Sequence, residues 1–251
     1  MTRDEGLREL EACLTPERFR DYCPNGLQVE GRSAITTLVT GVTASLALLE
    51  AALEEGADAV LVHHGLFWKG DDMRVTGPKK RRLELLLKND INLYAYHLPL
   101  DAHPELGNNA QLGRKLGLVG TSRFGEQELG WLGARPDGQA FVSVQALADH
   151  VGYVLNRPVS LVGKGPETIK KIAWCSGGAQ SYFEAAIAAG ADAFITGELS
   201  EPQAHLANEC GVAYLACGHH ATERYGAPAV GDHVAGLFGL EHVFIDIDNP
   251  A

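Results

Sequence analysis

The chain has 251 residues, 45% of them hydrophobic and 21% charged, with a formal net charge of −11. No apolar run approaches the ~20 residues of a membrane helix, and the acidic balance disfavours a protein that holds nucleic acid by bulk charge, leaving room only for a local basic patch. The stretch MTRDEGLRELEACL has no apolar signal core and the five cysteines are irregularly spaced, so a reducing, cytoplasmic setting is expected rather than a disulfide scaffold.

In chain order, GLRELEACL places Leu7, Leu10 and Leu14 at helical spacing, and YCPNGLQVEG is rich in turn residues. A strand is predicted over about 35–42, then a helix over about 44–55 that stops at Gly56. ADAVLVHH reads as a buried strand, PKKRRLELLLKND as a helix and INLYAYH as another buried strand. The second half repeats this grammar. KKIAWCS, ADAFITGE and VAYLACGHH read as strands, with helices in AQSYFEAAIAA and PQAHLANEC. Strands alternating with helices define an α/β class with mainly parallel sheets.

Residues 50–60 (EAALEEGADAV) and 184–194 (EAAIAAGADAF) share seven identities. Either the chain is internally duplicated or Gly-Ala-Asp-Ala recurs as a generic helix-to-strand turn. The preceding strand and helix also align, which favours duplication. A second echo pairs LYAYHLPLD (93–101) with LACGHHATE (215–223), setting His97 on His219 and Asp101 on Glu223. Two related α/β lobes are therefore expected, 1–125 and 126–251, with the boundary inside the Gly-rich, polar stretch 120–140. In such sheets ligands bind at the carboxyl ends of strands, and the two sets of strand ends could face a shared cleft.

Three polar clusters follow buried strands: His63-His64, His97 with Asp101, and His219-His220 with Glu223. Imidazole with carboxylate is the ligand set of Zn, Mn, Fe, Co or Ni. Singly, each cluster could be an ordinary hydrogen-bonded strand end. Three at equivalent strand ends point to metal. Adjacent histidines can both reach an ion pair only where the strand has ended, and Gly65 makes a turn there plausible. Glu223 shares a face with His219 if that segment is helical. His103, His205 and His220 are candidates to orient a ligand by hydrogen bonding. His150, His233 and His242 stand alone. Ser176-Gly177-Gly178 could hold an anion or make a tight turn. The run Lys79-Lys80-Arg81-Arg82 opens a helix, where cations oppose the dipole, and it is either a solvated face or a phosphate site.

At these residues the sequence resembles a known family. CPNGLQVEG, LVHHGLFWKG, HLPLDAHPELGNNAQL, ITGELSE and GHHATE are similar, in order and across almost the whole chain, to motifs of the GTP cyclohydrolase I type 2 homologue (Nif-three-like) family in its compact bacterial form. The resemblance implies two related lobes with a dinuclear metal site between them and a ring-shaped homohexamer. It implies His63, His64, Asp101, His219 and Glu223 as ligands of two divalent ions (Zn, Fe, Mn or Ni). His97 would lie close by, orienting a ligand or occasionally serving as one. The family's last motif usually has Tyr where this chain has His220.

The family name implies hydrolytic opening of the purine ring of GTP with formate release, His97 shuttling a proton. Lys69, Lys79, Lys80 and Arg82 are candidates to hold the triphosphate. Two alternatives stay open: a metal-dependent hydrolase of another nucleotide or a phosphoester, and a non-catalytic metal-binding hexamer that docks a partner or DNA.

Overall fold

A computed structural model describes residues 1–136 and 138–251. In chain order it runs α1 (Arg3–Leu14), β1 (Gly26–Val29), β2 (Thr37–Thr43), α2 (Leu46–Glu54), β3 (Ala59–His64), α3 (Gly77–Lys88), β4 (Asn92–Ala95), α4 (Leu98–Ala102), α5 (Asn108–Lys115), β5 (Val119–Phe124), β6 (Gly130–Ala134), α6 (Val144–Leu155), β7 (Ser160–Val162), β8 (Ile172–Trp174), α7 (Phe183–Ala188), β9 (Ala193–Thr196), α8 (Glu201–Cys210), β10 (Ala213–Ala216), α9 (His219–Glu223), α10 (Gly226–Phe238) and β11 (Glu241–Phe244). These elements form two compact units, Met1–Gly107 with Arg224–Asp248, and Asn108–Glu223 with Asn249–Ala251.

The first unit is a sheet of order β1-β4-β3-β2-β11, parallel except for the β1–β4 pair. Its strands are apolar on both faces, as a sheet covered by helices on both sides requires. Val60 and Val62 of β3 pack with Leu48 and Leu49 of α2 and Leu86 of α3. Ala59 and Leu61, one residue out of phase, pack with Leu10 and Leu14 of α1 and Val230 and Val234 of α10. Ser45 caps α2, its hydroxyl accepting from the Leu48 amide at 3.2 Å.

The second unit is a sheet of order β5-β6-β8-β9-β10-β7. Its core is aromatic: the Phe183, Phe194 and Tyr214 rings lie 4.9–5.8 Å apart. Trp174 stacks on Trp131 at 5.9 Å. Its indole N–H donates to the Asn109 carbonyl at 2.9 Å, which ties the start of α5 to β8.

The units repeat one plan. α1-β1-β2-α2-β3-α3-β4-α4 in the first corresponds to α6-β7-β8-α7-β9-α8-β10-α9 in the second. Both sheets contain the same four-strand order, β1-β4-β3-β2 and β7-β10-β9-β8, with the first pair antiparallel and the rest parallel. The Gly-Ala-Asp-Ala segments play the same part in both units. Gly56 and Gly190 end their helices at positive φ, which favours glycine. The Asp58 carboxylate accepts from the amides of Thr36 and Thr37, and Asp192 accepts from Lys170 and Lys171, the residues at the same spacing. A generic turn would not reproduce the long-range partners of the aspartate, so the repeat is a duplication of fold.

Two expectations need correction. The compact units are not the contiguous halves 1–125 and 126–251. β2 is buried over five of its seven residues and needs a neighbour on its outer edge. The last strand supplies it: β11 pairs in parallel with β2, and α10 covers that face. Mainly parallel pairing holds for the first sheet only. In the second, the outer edge of β8 is covered by β6 and β5 in antiparallel pairing.

Candidate metal centre

In the first unit, strand alternation would send His63 and His64 to opposite faces. At the end of β3 their ring centroids are nevertheless only 4.5 Å apart. His63 is fully buried. Its Nδ1 lies 3.1 Å from the Tyr96 carbonyl oxygen. A carbonyl only accepts, so the proton sits on Nδ1 and the lone pair on Nε2. That nitrogen lies 3.6 Å from Oδ1 of buried Asp101. The separation exceeds a hydrogen bond and matches the ~3.4 Å expected between two ligands ~2.1 Å from a common ion at tetrahedral angles. His64 Nδ1 is held 3.0 Å from the Thr43 hydroxyl. His97, the residue before α4, completes the set. One donor atom each of His63, His64 and His97 lies within 4.8 Å of the others.

His97 is aimed by residues that sequence reading did not assign. Its Nδ1 lies 2.7 Å from Oδ1 of Asp21. Asp21 also accepts from the Leu98 amide and the Asn25 side chain, each at 2.9 Å, and Asn25 accepts from the His97 amide at 2.7 Å. Burial pushes the Asp21 carboxyl up, but these hydrogen bonds and His97 outweigh it and hold its pKa at about 2. A carboxylate on the remote ring nitrogen is how proteins fix a metal-ligating histidine. Gly65 acts by close approach rather than by a left-handed turn. Its missing Cβ leaves room for the Gln28 carboxamide, which accepts from the Leu66 amide at 2.8 Å.

In the second unit, His219 and Glu223 lie one turn apart on α9, with Nε2 to Oε2 at 3.1 Å. His219 Nδ1 is 2.7 Å from Glu198, just beyond β9. Burial disfavours the charged imidazole, but the two carboxylates outweigh it and raise its pKa to about 9. A cation taking this nitrogen must displace the proton. Ser176-Gly177-Gly178 is a turn. Gly177 has φ +66, and a Cβ there would strike the Glu223 carboxylate. Its amide donates to the Thr222 hydroxyl at 2.9 Å, so the turn moulds α9.

Each unit therefore gathers the residues expected of it: His63, His64, His97 and Asp101 in the first, His219 and Glu223 in the second. His220 is half-buried in α9. His103 does not join the imidazole set. Its Nδ1 accepts from the Leu106 amide at 2.9 Å, and its Nε2 lies 3.7 Å from Cys13 Sγ, so it pins the turn after α4. Exposed His205 pairs with Glu201 on α8. Glu198 had a legible signal: it stands at the repeat spacing from His64. Asp21 and Asn25 had only a turn-rich composition.

Two duplicated α/β units carry imidazoles and buried carboxylates at their strand ends, a donor set whose chemistry fits divalent metal ions. The chain matches the Duf34/NIF3 (NGG1p interacting factor 3) family over residues 1–250 and belongs to it. A Neisseria meningitidis relative named GTP cyclohydrolase 1 type 2 homolog is 53% identical over 233 residues, 93% of this chain and 92% of its own. The solved structure of protein ybgI superposes with a TM-score of 0.96 at 47% identity, covering all of both chains. That of TTHA1606 from Thermus thermophilus does so with a TM-score of 0.91 at 36% identity, again over all of both.

Proposed function

We propose that this chain is a dinuclear metal-dependent hydrolase that opens the purine ring of GTP with release of formate. The observation that carries the reading is the convergence of His63, His64 and His97, with Asp101 facing His63, at the end of one buried strand. His63, His64, Asp101, His219 and Glu223 would hold two divalent ions, Zn, Fe, Mn or Ni. The ions would supply water activation and polarisation of the attacked bond. His97 would move a proton at Nε2, its other nitrogen being committed to Asp21. The name of the Neisseria relative supports the substrate. The assembly we propose is the family's ring-shaped homohexamer, in the cytoplasm. Among the described residues no helix is long and apolar enough to cross a membrane.

The test is formate release from GTP by metal-loaded protein. Turnover that disappears in Asp101→Ala supports the reading. Normal metal loading with no turnover of any nucleotide contradicts it and favours a metal-binding interaction protein.

A further inference from the structure

The stretch from the β3–α3 loop into the first turns of α3 reverses the charge of the chain. Residues 69–82 carry six Lys or Arg against two Asp, in a protein of net charge −11. Four of those cations are consecutive in the opening turns of α3, where they repel one another and oppose the helix dipole. Helix stability does not account for cations there, although Lys79 donates to the Asp72 carbonyl at 3.2 Å.

They stand beside an aromatic platform. Two cavities flank Trp68. One, of about 370 Å³, is lined by Trp68, Arg74, Lys79 and Arg82. The other, of about 380 Å³, is lined by Tyr22, Phe67, Trp68, Met73 and Lys79. Arg74 is committed to Asp72 in a two-pronged ion pair. Lys79 lies over the Phe67 ring at 5.1 Å. The Arg82 Nε is shielded from water and makes no hydrogen bond among the described residues. Trp68 meets His97 edge-on at 5.0 Å and lies 5.9 Å from the His64 ring. A planar base resting on this indole would thus be one ring away from the imidazoles, with Lys79 and Arg82 lining the same cavity.

We propose that Trp68, Lys79 and Arg82 form the subsite for a purine nucleotide, the base against Trp68 and the phosphates on Lys79 and Arg82. Aromatic faces take bases by stacking, and a guanidinium takes phosphate oxygens by paired hydrogen bonds. This assignment rests on the nucleotide-hydrolase reading and names where that substrate is held.

The test measures calorimetric binding of GTP, guanosine and inorganic triphosphate to metal-loaded protein, with ion content measured in parallel. The double variant Lys79→Ala/Arg82→Ala should keep its ions and its guanosine binding. It should lose at least about tenfold in affinity for GTP and for triphosphate. Trp68→Ala should do the reverse, weakening guanosine and GTP but not triphosphate, and Trp68→Phe should restore part of the loss. Lys79 and Arg82 lie outside the buried core, so the double variant should fold. If it retains ions and binds GTP like the parent, the subsite is overturned, and formate release by the parent would leave the hydrolase reading standing. If the metal-loaded parent neither binds GTP nor releases formate, the nucleotide reading falls and this assignment falls with it.

Discussion

The two units share a scaffold and differ in the chemistry of their strand ends. β3 ends in His63-His64, whereas the equivalent end of β9 is Gly197-Glu198. Both units keep a histidine after the next strand and a carboxylate four residues later, His97 with Asp101 and His219 with Glu223. Both hold that histidine's Nδ1 with a carboxylate at 2.7 Å, but Asp21 comes from the loop before β1 and Glu198 from the strand end itself. The first unit is thus rich in imidazole and the second in carboxylate. The shared plan sets where donors stand, and the residues at those positions set which donors they are.

The comparison can be broken most sharply at the ligands. Asp101→Ala and Glu223→Ala should each lower metal affinity by at least about 100-fold, read by competition with a chelator. Loss from one variant alone would mean that a single unit does the binding. A smaller effect is expected one layer out. Asp21→Asn should weaken metal binding by about 10–100-fold. Glu198→Gln should cost less, because Asp21 is shielded while Glu198 is open to water. Equal losses would contradict that ranking.

The smallest effect concerns the scaffold. Asp58 accepts from Thr36 and Thr37 and pairs with Arg32 at 2.9 Å, while Asp192 holds two amides. Asp58→Ala should cost about 2 kcal/mol in denaturant unfolding, and Asp192→Ala about 1 kcal/mol. Burial pushes the Asp58 carboxyl up, but its hydrogen bonds and Arg32 win and hold it below the usual range. Its folded pKa lies under its unfolded one, so its contribution is complete above the unfolded value and is lost as pH falls through the folded one. The gap between parent and Asp58→Ala should therefore shrink in acid.

Much of this was legible in the sequence because polar residues directly follow apolar runs. His63-His64 after AVLV, and His219 after a buried strand, announce strand ends, and i,i+4 spacing places Glu223 on the face of His219. The repeat also exposed three of the four strands that the units share. What stayed hidden depends on partners distant in sequence. Asp21, in the loop before β1, becomes functional only through His97, which lies 76 residues further on. β1 and β7 are short edge strands: the first lies in a stretch that reads as turns, and the second, only three residues long, carries no strand pattern. The return of α10 and β11 to the first sheet is set by the open edge of β2, which no local pattern reveals.

The account rests on a metal-ligand set in each unit, and elemental analysis after gentle purification tests it most directly. It predicts about two divalent ions per chain, reduced in both Asp101→Ala and Glu223→Ala. A metal-free protein that takes up no Zn, Mn, Fe or Ni would contradict it.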